Sequence, residues 1–189
     1  SKTLELDTAS LGNSGQGTLL SQGSLTLGVT GLLDNHDLGN LISHGTQQLK
    51  FAQLDNSHGG LISSKRTLDL QGATLNNQSG LVIADGALTI KGGSLDNRQQ
   101  GSVSGKAAAL LELTQLNNTG GSVASDGRMQ LTATTVDNGN DGQIAAKGDL
   151  HATLGSLNQQ GGALISQGAL NLHANNIDNR NAGLIAANQ

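Results

Sequence analysis

Residues 80–100 read GLVIADGALTIKGGSLDNRQQ, and this 21-residue stretch recurs in outline along the whole chain. It contains three short aliphatic pieces, which are separated by turns rich in Gly, Asn and Asp. A Gly-x-aliphatic segment of the same kind starts every 20 to 22 residues, at Gly17, Gly39, Gly59, Gly80, Gly101, Gly121, Gly142, Gly162 and Gly183. A fixed period of this length indicates a repeat architecture in which neighbouring units stack.

Aligning the nine units brings aliphatic residues into columns, which we predict to be the core. The column two positions after each glycine contains Leu19, Leu41, Leu61, Val82, Val103, Val123, Ile144, Leu164 and Ile185. The middle piece alternates, as in Leu88-Thr89-Ile90, Met129-Gln130-Leu131 and Leu170-Asn171-Leu172. The third piece ends in Leu33, Leu54, Leu75, Leu95, Leu116, Val136, Leu157 and Ile177.

The length of the unit decides between helices and strands. Helical repeats of paired helices need 33 or more residues, and the spacing of leucine-rich repeats is missing here. Three strands of four to five residues, closed into one coil, fit 21 residues, and the crossover rule for parallel strands favours a right-handed coil. We therefore predict an all-β fold, a right-handed parallel β-helix (solenoid) of about nine 20–22-residue coils. Residues 1–189 would form a single β-helix repeat array.

A pair of polar residues follows the third aliphatic piece of each unit. Asn tolerates the left-handed backbone of a tight corner, and stacked Asn amides hydrogen-bond along a fibre axis. The second position of the pair therefore predicts an inward-facing structural ladder of Asn35, Asn56, Asn77, Asn97, Asn118, Asn138 and Asn179. Gln159 stands where the ladder would have Asn, and we expect a local distortion there.

The first position of the pair alternates between acid and amide. It contains Asp34, Asp55, Asn76, Asp96, Asn117, Asp137, Asn158 and Asp178. Like charges on neighbouring strands are destabilising, and the alternation avoids them everywhere except between Asp34 and Asp55. In the C-terminal half the turn after the pair also alternates in length, which gives a two-coil module of 41 residues. Our hypothesis is that the Asp side chain caps the longer turn.

Candidate chemical sites are few. His36 and His58 fall in adjacent corners but out of column, the remaining histidines (His44, His151 and His173) have unrelated neighbours, and the chain has no Cys to complete a zinc site. The nine-residue period of a calcium β-roll is also missing, which leaves only weak cation binding near Asp34 and Asp55. We therefore predict no metal, no cofactor and no catalytic residues. A carbohydrate-active β-helix would need long loops that build a cleft, whereas these units vary by only one or two residues.

Phe51 is the only aromatic residue. Two interpretations are open: the ring fills space in an irregular coil where Gln47 replaces the usual aliphatic residue, or it is a surface contact. The other outward columns, rich in Ser, Gln, Thr and Asn, predict a featureless solvated surface.

The composition excludes several classes of protein. The net charge of −4 argues against nucleic-acid binding, which needs a basic stripe. No apolar run reaches the roughly 18 residues of a membrane span. Aliphatic residues are plentiful while only 13% of residues are charged, so the chain should fold rather than remain disordered.

The repeats resemble the haemagglutinin repeats of filamentous haemagglutinin-like exoproteins. LDNSHGGLIS at residues 54–63 and IDNRNAGLIA at residues 177–186 carry the likeness most clearly. The resemblance implies export by two-partner secretion, a β-helix at the bacterial cell surface, and a role as an adhesin or as the stalk of a contact-dependent growth-inhibition toxin. The secretion domain of such exoproteins typically carries an Asn-Pro-Asn-Gly motif, and this sequence has no Pro. We therefore expect that domain, and its contact with the outer-membrane transporter, to lie elsewhere.

Three functions remain as alternatives. The first is a structural shaft whose flanking domains contact a protein or glycan receptor on a host cell or target bacterium. The second is an adhesive surface along the rod itself, for which Phe51 is the only apolar or aromatic candidate. The third is a carbohydrate-active enzyme, the least favoured because no cleft is predicted.

Overall fold

The structure, a computed structural model, describes residues 2–188. Short strands of four residues alternate with long strands of nine or ten along most of the chain, because each unit has one aliphatic piece before its Gly-rich turn and two after it. The strands in chain order are β1 (Leu4–Thr8), β2 (Leu11–Gly12), β3 (Thr18–Ser21), β4 (Leu25–Asp34), β5 (Asn40–Ser43), β6 (Gln47–Asp55), β7 (Leu61–Ser64), β8 (Leu68–Asn76), β9 (Leu81–Ala84), β10 (Leu88–Asp96), β11 (Ser102–Gly105), β12 (Ala109–Asn117), β13 (Ser122–Ser125), β14 (Met129–Asp137), β15 (Gln143–Ala146), β16 (Leu150–Asn158), β17 (Ala163–Ser166), β18 (Leu170–Asp178) and β19 (Leu184–Ala187).

The strands form two parallel sheets. The ten-stranded sheet has the order β1-β4-β6-β8-β10-β12-β14-β16-β18, with β2 also paired to β4. The nine-stranded sheet has the order β3-β5-β7-β9-β11-β13-β15-β17-β19. Each strand therefore pairs with the equivalent strand one coil earlier and one coil later. This topology confirms the prediction of an all-β parallel solenoid of about nine coils.

The core runs between the two sheets as stacked columns. In β16 the inward residues are Leu150, Ala152, Leu154 and Leu157, all at most 6% exposed. Equivalent residues of neighbouring coils pair in register, so each aliphatic side chain packs on the one above it. Ile177, in the last long strand, is 45% exposed because no described strand covers it. Stability is thus a property of neighbouring coils rather than of any single coil.

The second and third aliphatic pieces belong to one bent strand. In β16 both Gly155 and Ser156 lie between the inward Leu154 and Leu157, so two consecutive residues face away from the core. The register between neighbouring long strands skips the first of these two positions. Two outward residues in succession change the strand's direction without ending it. The expectation of three separate strands was wrong in this respect for the coils from β4 onward, which have one bent long strand and one short strand each, and it holds only for the first coil, with β1, β2 and β3.

The alignment of the repeats in the sequence placed one unit, starting at Gly59, one residue out of register. Ile62, not Leu61, pairs with Leu41 and is fully buried, while Leu61 pairs with Asn40 and faces outward. The corner glycine of this coil is accordingly Gly60, and Gly59 belongs to the turn, where its φ is 84°. The double glycine allows both alignments in the sequence, and only the burial of Ile62 distinguishes them.

The corrected register extends the alternation of turn length toward the N-terminus. Where the pair begins with Asp, the corner glycine lies four positions after the ladder residue, as at Asn56 and Gly60. Where it begins with Asn, the glycine lies three positions after, as at Asn77 and Gly80. Longer turns contain two consecutive residues with positive φ, such as Gln99 and Gln100, and shorter turns contain one. The 41-residue module therefore begins at Asp55 rather than in the C-terminal half.

The corner glycines are required by space. A Cβ at Gly121 would lie 1.9 Å from the backbone oxygen of Asn97, and one at Gly162 would lie 1.7 Å from that of Asn138. These are distances that a side chain cannot occupy, and the atom in the way is backbone, which cannot rotate aside. The backbone at this corner is therefore packed too closely for any other residue.

Candidate functional site

A continuous column of buried amides follows the long strands. The Nδ2 of each Asn donates a hydrogen bond to the Oδ1 of the next at 2.7 Å, from Asn13 through to Asn138. The structure places six of the seven ladder residues named from the sequence in this column, namely Asn35, Asn56, Asn77, Asn97, Asn118 and Asn138. Asn13 was missed because Gly12 stands where the other units have Asp or Asn.

Each ladder amide also binds the backbone. Asn118 Nδ2 lies 2.9 Å from the carbonyl oxygen of Gln143, and Asn97 Nδ2 lies 3.0 Å from that of Ser122. These carbonyls begin the short strand of the next coil, so one side chain joins two coils through side-chain and backbone contacts. Buried amides with all their partners rigidify a core, whereas a missing partner leaves a costly unpaired group.

The ladder weakens at Gln159. Asn138 Nδ2 lies 3.1 Å from Gln159 Oε1, and Gln159 Nε2 reaches the carbonyl oxygen of Leu184 at 3.4 Å. Within residues 2–188 no hydrogen bond joins Gln159 to Asn179, which is exposed in the last coil. Asn179 is therefore outside the ladder, contrary to the sequence assignment. The strands around Gln159 stay in register, so the irregularity is confined to side chains.

The first residue of each polar pair caps its turn whatever the turn's length. Asp96 Oδ1 accepts a hydrogen bond from the backbone N–H of Arg98 at 3.3 Å before a longer turn, and Asn117 Oδ1 accepts one from Thr119 at 3.3 Å before a shorter turn. The hypothesis that Asp caps the longer turn is confirmed. The cap is not particular to Asp or to the longer turn, because an amide oxygen accepts this bond as well as a carboxylate does.

The alternation of Asp and Asn instead supplies donors to carboxylates. Asn76 Nδ2 donates to Asp55 Oδ1 at 3.1 Å, and Asn158 Nδ2 donates to Asp137 Oδ1 at 3.0 Å. Near the end of the rod, Arg180 lies 2.6 Å from Asp178 and holds the pKa of that carboxyl at about 2. Each carboxylate named here is paired with an amide or a guanidinium, as electrostatics between stacked strands requires.

A histidine lies beside Asp34, the first of the Asp34–Asp55 neighbours. His36 Nδ1 contacts Asp34 Oδ1, and His36 Nε2 lies 3.1 Å from Asp37 Oδ2. The hydrogen bond with Asp34 raises the pKa of His36 above its ordinary value. Across residues 2–188 no three His, Cys, Asp or Glu side chains converge as metal ligands. The cluster at this corner therefore has the character of an ion pair.

The opposite corner, after each short strand, is built differently. Its inward residue is Ser in most coils, and the Oγ of Ser64 lies 2.8 Å from the carbonyl oxygens of both Gly45 and Thr67. Ala84, Gly105 and Ala146 occupy the same column without a hydroxyl. Because these residues are all small, this corner depends on size more than on any one hydrogen bond.

A column of alternating charges lies just outside that corner, immediately after the inward residue. It contains, in successive coils, Lys65, Asp85, Lys106, Asp126 and Lys147. Asp85 lies 2.6 Å from Lys106 and 3.0 Å from Lys65, and Lys147 lies 2.8 Å from Asp126. The hydrogen bonds from Lys106 and Lys65 lower the pKa of the Asp85 carboxyl. This column, which we call the charged column, repeats every 41 residues, as the Asp/Asn alternation does.

Phe51 points into the solenoid and is 8% exposed, which leaves too little of the ring for a surface contact. Its ring covers Gly72 of the next coil, where a Cβ would lie 2.2 Å from the ring carbons. The ring therefore fills the space left by the missing side chain of Gly72, and not a space beside Gln47. Gln47 is itself fully buried, and its Oε1 has no hydrogen-bond partner among the described residues.

The outer faces of the two sheets differ in charge. The ten-stranded sheet carries charged residues outward, including Asp69, Lys91 and Glu112. The outward positions of the nine-stranded sheet, within the part of the chain described, contain no charged residue, and Leu20, Leu81 and Leu184 there are 41–47% exposed. The expectation that the outward columns are uniformly polar was wrong for this face. Exposed apolar surface is therefore found on the outer face of the nine-stranded sheet, and not at Phe51, which is buried.

A shallow groove of about 470 Å³ follows the last part of the long strands from β12 to β18. Aliphatic residues such as Val136 and Leu157 form its floor, and Asp137 and Asp178 lie along one side. These two acids are two coils apart, or about 10 Å between backbones. Because Asn158 separates them, this side lacks the adjacent carboxylates that a retaining glycosidase needs about 5 Å apart.

Comparison with known proteins identifies the repeat. The Haemagglutinin repeat family matches residues 1–50, 42–153 and 130–189, which together span the whole chain. No curated protein and no solved structure gave a match. In the described residues, no helix has the length and apolar character that crossing a membrane requires. The matches cover every coil of the solenoid, and the chain therefore belongs to the Haemagglutinin repeat family.

Proposed function

We propose that this chain is part of the shaft of a secreted or surface-exposed filamentous haemagglutinin-like protein, and that it acts as a stiff spacer. The observation that supports this best is the uninterrupted pairing of coils in both sheets. Coil lengths differ by only one or two residues, so no loop leaves the rod to build a cleft. Nine coils at about 4.8 Å each give a rod about 40 Å long.

On this proposal the specific activities reside in flanking domains. Those domains would contact a protein or glycan receptor on a host cell or target bacterium, as an adhesin or as a toxin-delivery protein does. Export would use a two-partner secretion transporter recognised by a separate N-terminal domain. The family membership supports a shaft or adhesin, and the choice between adhesion and toxin delivery is part of the proposal.

Binding measurements on the isolated chain test the spacer. Labelled protein is titrated onto candidate host and bacterial cells and onto immobilised heparin and other glycans. A spacer gives no saturable binding, while X-ray scattering shows a rod of constant cross-section. Saturable binding to one cell type or glycan contradicts a pure spacer.

The second candidate is an adhesive surface along the rod. The uncharged outer face of the nine-stranded sheet favours it, because exposed apolar surfaces are typical of interaction sites. If saturable binding is found, Leu81→Lys on this face should abolish it. The same change at Leu110, which faces outward on the other sheet, should leave it intact.

A further inference from the structure

The outer face of the nine-stranded sheet has the composition of a covered surface. The first and third residues of each short strand point outward, because the second and fourth are buried. Most of these outward side chains are aliphatic, and the larger ones are Leu20, Ile42, Leu61, Leu81, Ile83, Ile165 and Leu184. Large aliphatic residues gathered toward both ends of one outward face are unusual for a surface that meets only water.

The charged column borders this face along one edge. It has Lys at its centre and at both ends, so its order of charges is the same when read in either direction along the rod. A second copy running the opposite way, shifted by one coil, therefore presents Asp opposite two of the three lysines. A copy running in the same direction would instead bring the turns that follow its long strands, next to the Asn ladder, to this edge.

We propose that this face binds a second copy of the chain, antiparallel, about a two-fold axis that passes between β11 and β13. In this register Lys106 faces Asp126 of the second copy and Asp85 faces its Lys147. Lys65 faces Gln167, which is neutral. No like charges meet along this edge, whereas a shift of one coil the other way sets His44 against Lys147.

The side chains on the face are complementary in size in the same register. The two strands nearest the axis carry only small outward residues, namely Ser102, Ser104, Ser122 and Ala124. Farther out, the bulky Leu81 and Ile83 lie opposite Gln143 and Ala145. Leu61 likewise lies opposite Ala163. In each of these pairs a large aliphatic side chain of one copy thus meets a small or polar side chain of the other, which allows the two sheets to approach closely.

The area of the face sets the expected strength. Strands of four residues measure about 13 Å across, and nine of them span about 40 Å, so two copies bury on the order of 1,000 Å². Stable specific interfaces bury about 1,200–2,000 Å². We therefore expect a weak dimer that forms only at high protein concentration.

Sedimentation velocity from micromolar to millimolar concentration tests the interface. The wild-type chain of 19.1 kDa should show a reversible increase toward twice that mass. Leu81→Lys should weaken the dimer at least tenfold, because it sets two charges into the apolar face, and Leu110→Lys on the other sheet should leave it unchanged. A monomer at every concentration overturns the proposal, as does association that both variants leave unaltered, which would place the contact elsewhere.

Cross-linking tests the direction and register, since the chain has no native Cys. A double variant with Ile83→Cys and Ala145→Cys places its two thiols three coils apart, or about 14 Å, too far for a disulfide within one chain. In the antiparallel register each thiol faces the other thiol of the second copy. Oxidation should give a covalent dimer from the double variant and from neither single variant. A non-covalent dimer that the double variant fails to trap overturns the antiparallel register.

Discussion

Two corners border the nine-stranded sheet, the ladder corner with the buried Asn column and the serine corner with the column of Ser64 and Ser125. They close the same coil by different means. At the ladder corner, the side chain of one coil hydrogen-bonds to that of the next, so the inward residue is Asn in almost every coil. At the serine corner, after each short strand, the inward hydroxyl contacts only backbone groups, and Ala or Gly replaces Ser in several coils. The difference teaches that a side chain is fixed in a repeat when its partner is its own equivalent in the next coil, and free to vary when its partner is backbone.

The largest effect is expected in the middle of the ladder. Asn118→Ala removes the acceptor of Asn97 and the donor to Asn138, both at 2.7 Å and fully buried. We expect a loss of about 3 kcal/mol in the free energy of unfolding, since buried polar groups lose their partners. Urea unfolding checks this, with Asn117→Ala as the control. A loss no larger than at Asn117 would mean that the ladder adds little.

A charge placed beside the ladder should have a smaller, pH-dependent effect. Asn158→Asp sets a carboxylate between Asp137 and Asp178 and removes the amide donor to Asp137. Like charges raise the folded-state pKa of the new carboxyl above its unfolded value. The destabilisation by repulsion is therefore absent below the unfolded pKa, grows as pH rises from the unfolded to the folded pKa, and is complete above the folded pKa. We expect a loss of about 1–2 kcal/mol at pH 7 and clearly less at pH 3.

Thermal unfolding of Asn158→Asp and Asn158→Ala, each against wild type at both pH values, separates the two contributions. The Ala variant loses the same donor without adding charge, so its loss should be similar at pH 7 and pH 3. Equal losses for the Asp variant at the two pH values would rule out repulsion as the reason for the alternation.

The serine corner should tolerate change more readily. Ser125→Ala removes a hydroxyl that lies 2.7 Å from the carbonyl oxygen of Ala107, but the neighbouring coils already function with Gly105 and Ala146 in this column. We expect the free energy of unfolding to fall by about 1 kcal/mol, a third of the decrease expected for Asn118→Ala. The reverse change, Ala146→Ser, is the matched control in chemical denaturation. A loss at Ser125 equal to that at Asn118 would erase the distinction between the corners.

The smallest effect is expected at His36, on the ladder side. Because its pKa is raised in the folded state, the stability it contributes is present below about pH 6.5 and is lost as pH rises through the raised pKa. His36→Gln should therefore lower the melting temperature by a degree or two at pH 5.5 and less at pH 8. A decrease that is independent of pH would show that the ion pair with Asp34 is unimportant.

The sequence reasoning succeeded where a residue recurs in a column and failed where one unit departs from the rule. The period identified the solenoid, because stacked coils force equivalent residues to repeat. Gly59 and Gly60 made two registers equally acceptable, and Gly12 concealed Asn13. The bend at Gly155 and Ser156 looked like a break between strands, because a strand that turns without ending has the same spacing as two strands.

The outer face of the nine-stranded sheet was missed for a different reason. Its aliphatic residues lie beside inward ones in the same short strand, as in Leu81-Val82-Ile83, so the run looks like uniform core. Only the register separates Val82, which is fully buried, from its outward neighbours. Composition averaged over all turns and strands could not reveal that one face lacks charge.

At both corners the charged residues alternate from coil to coil, so the rod repeats every two coils. Asp85 and Asp96 lie in one coil, and Lys106 and Asn117 in the next, so acidic and non-acidic coils take turns. Excision of a single coil, for example residues 97–117, would bring Asp96 beside Asp137 and Asp85 beside Asp126. Excision of residues 97–137 would leave both sequences of charges intact. Recombination between repeats should therefore change the length of such a rod in steps of two coils, about 10 Å at a time.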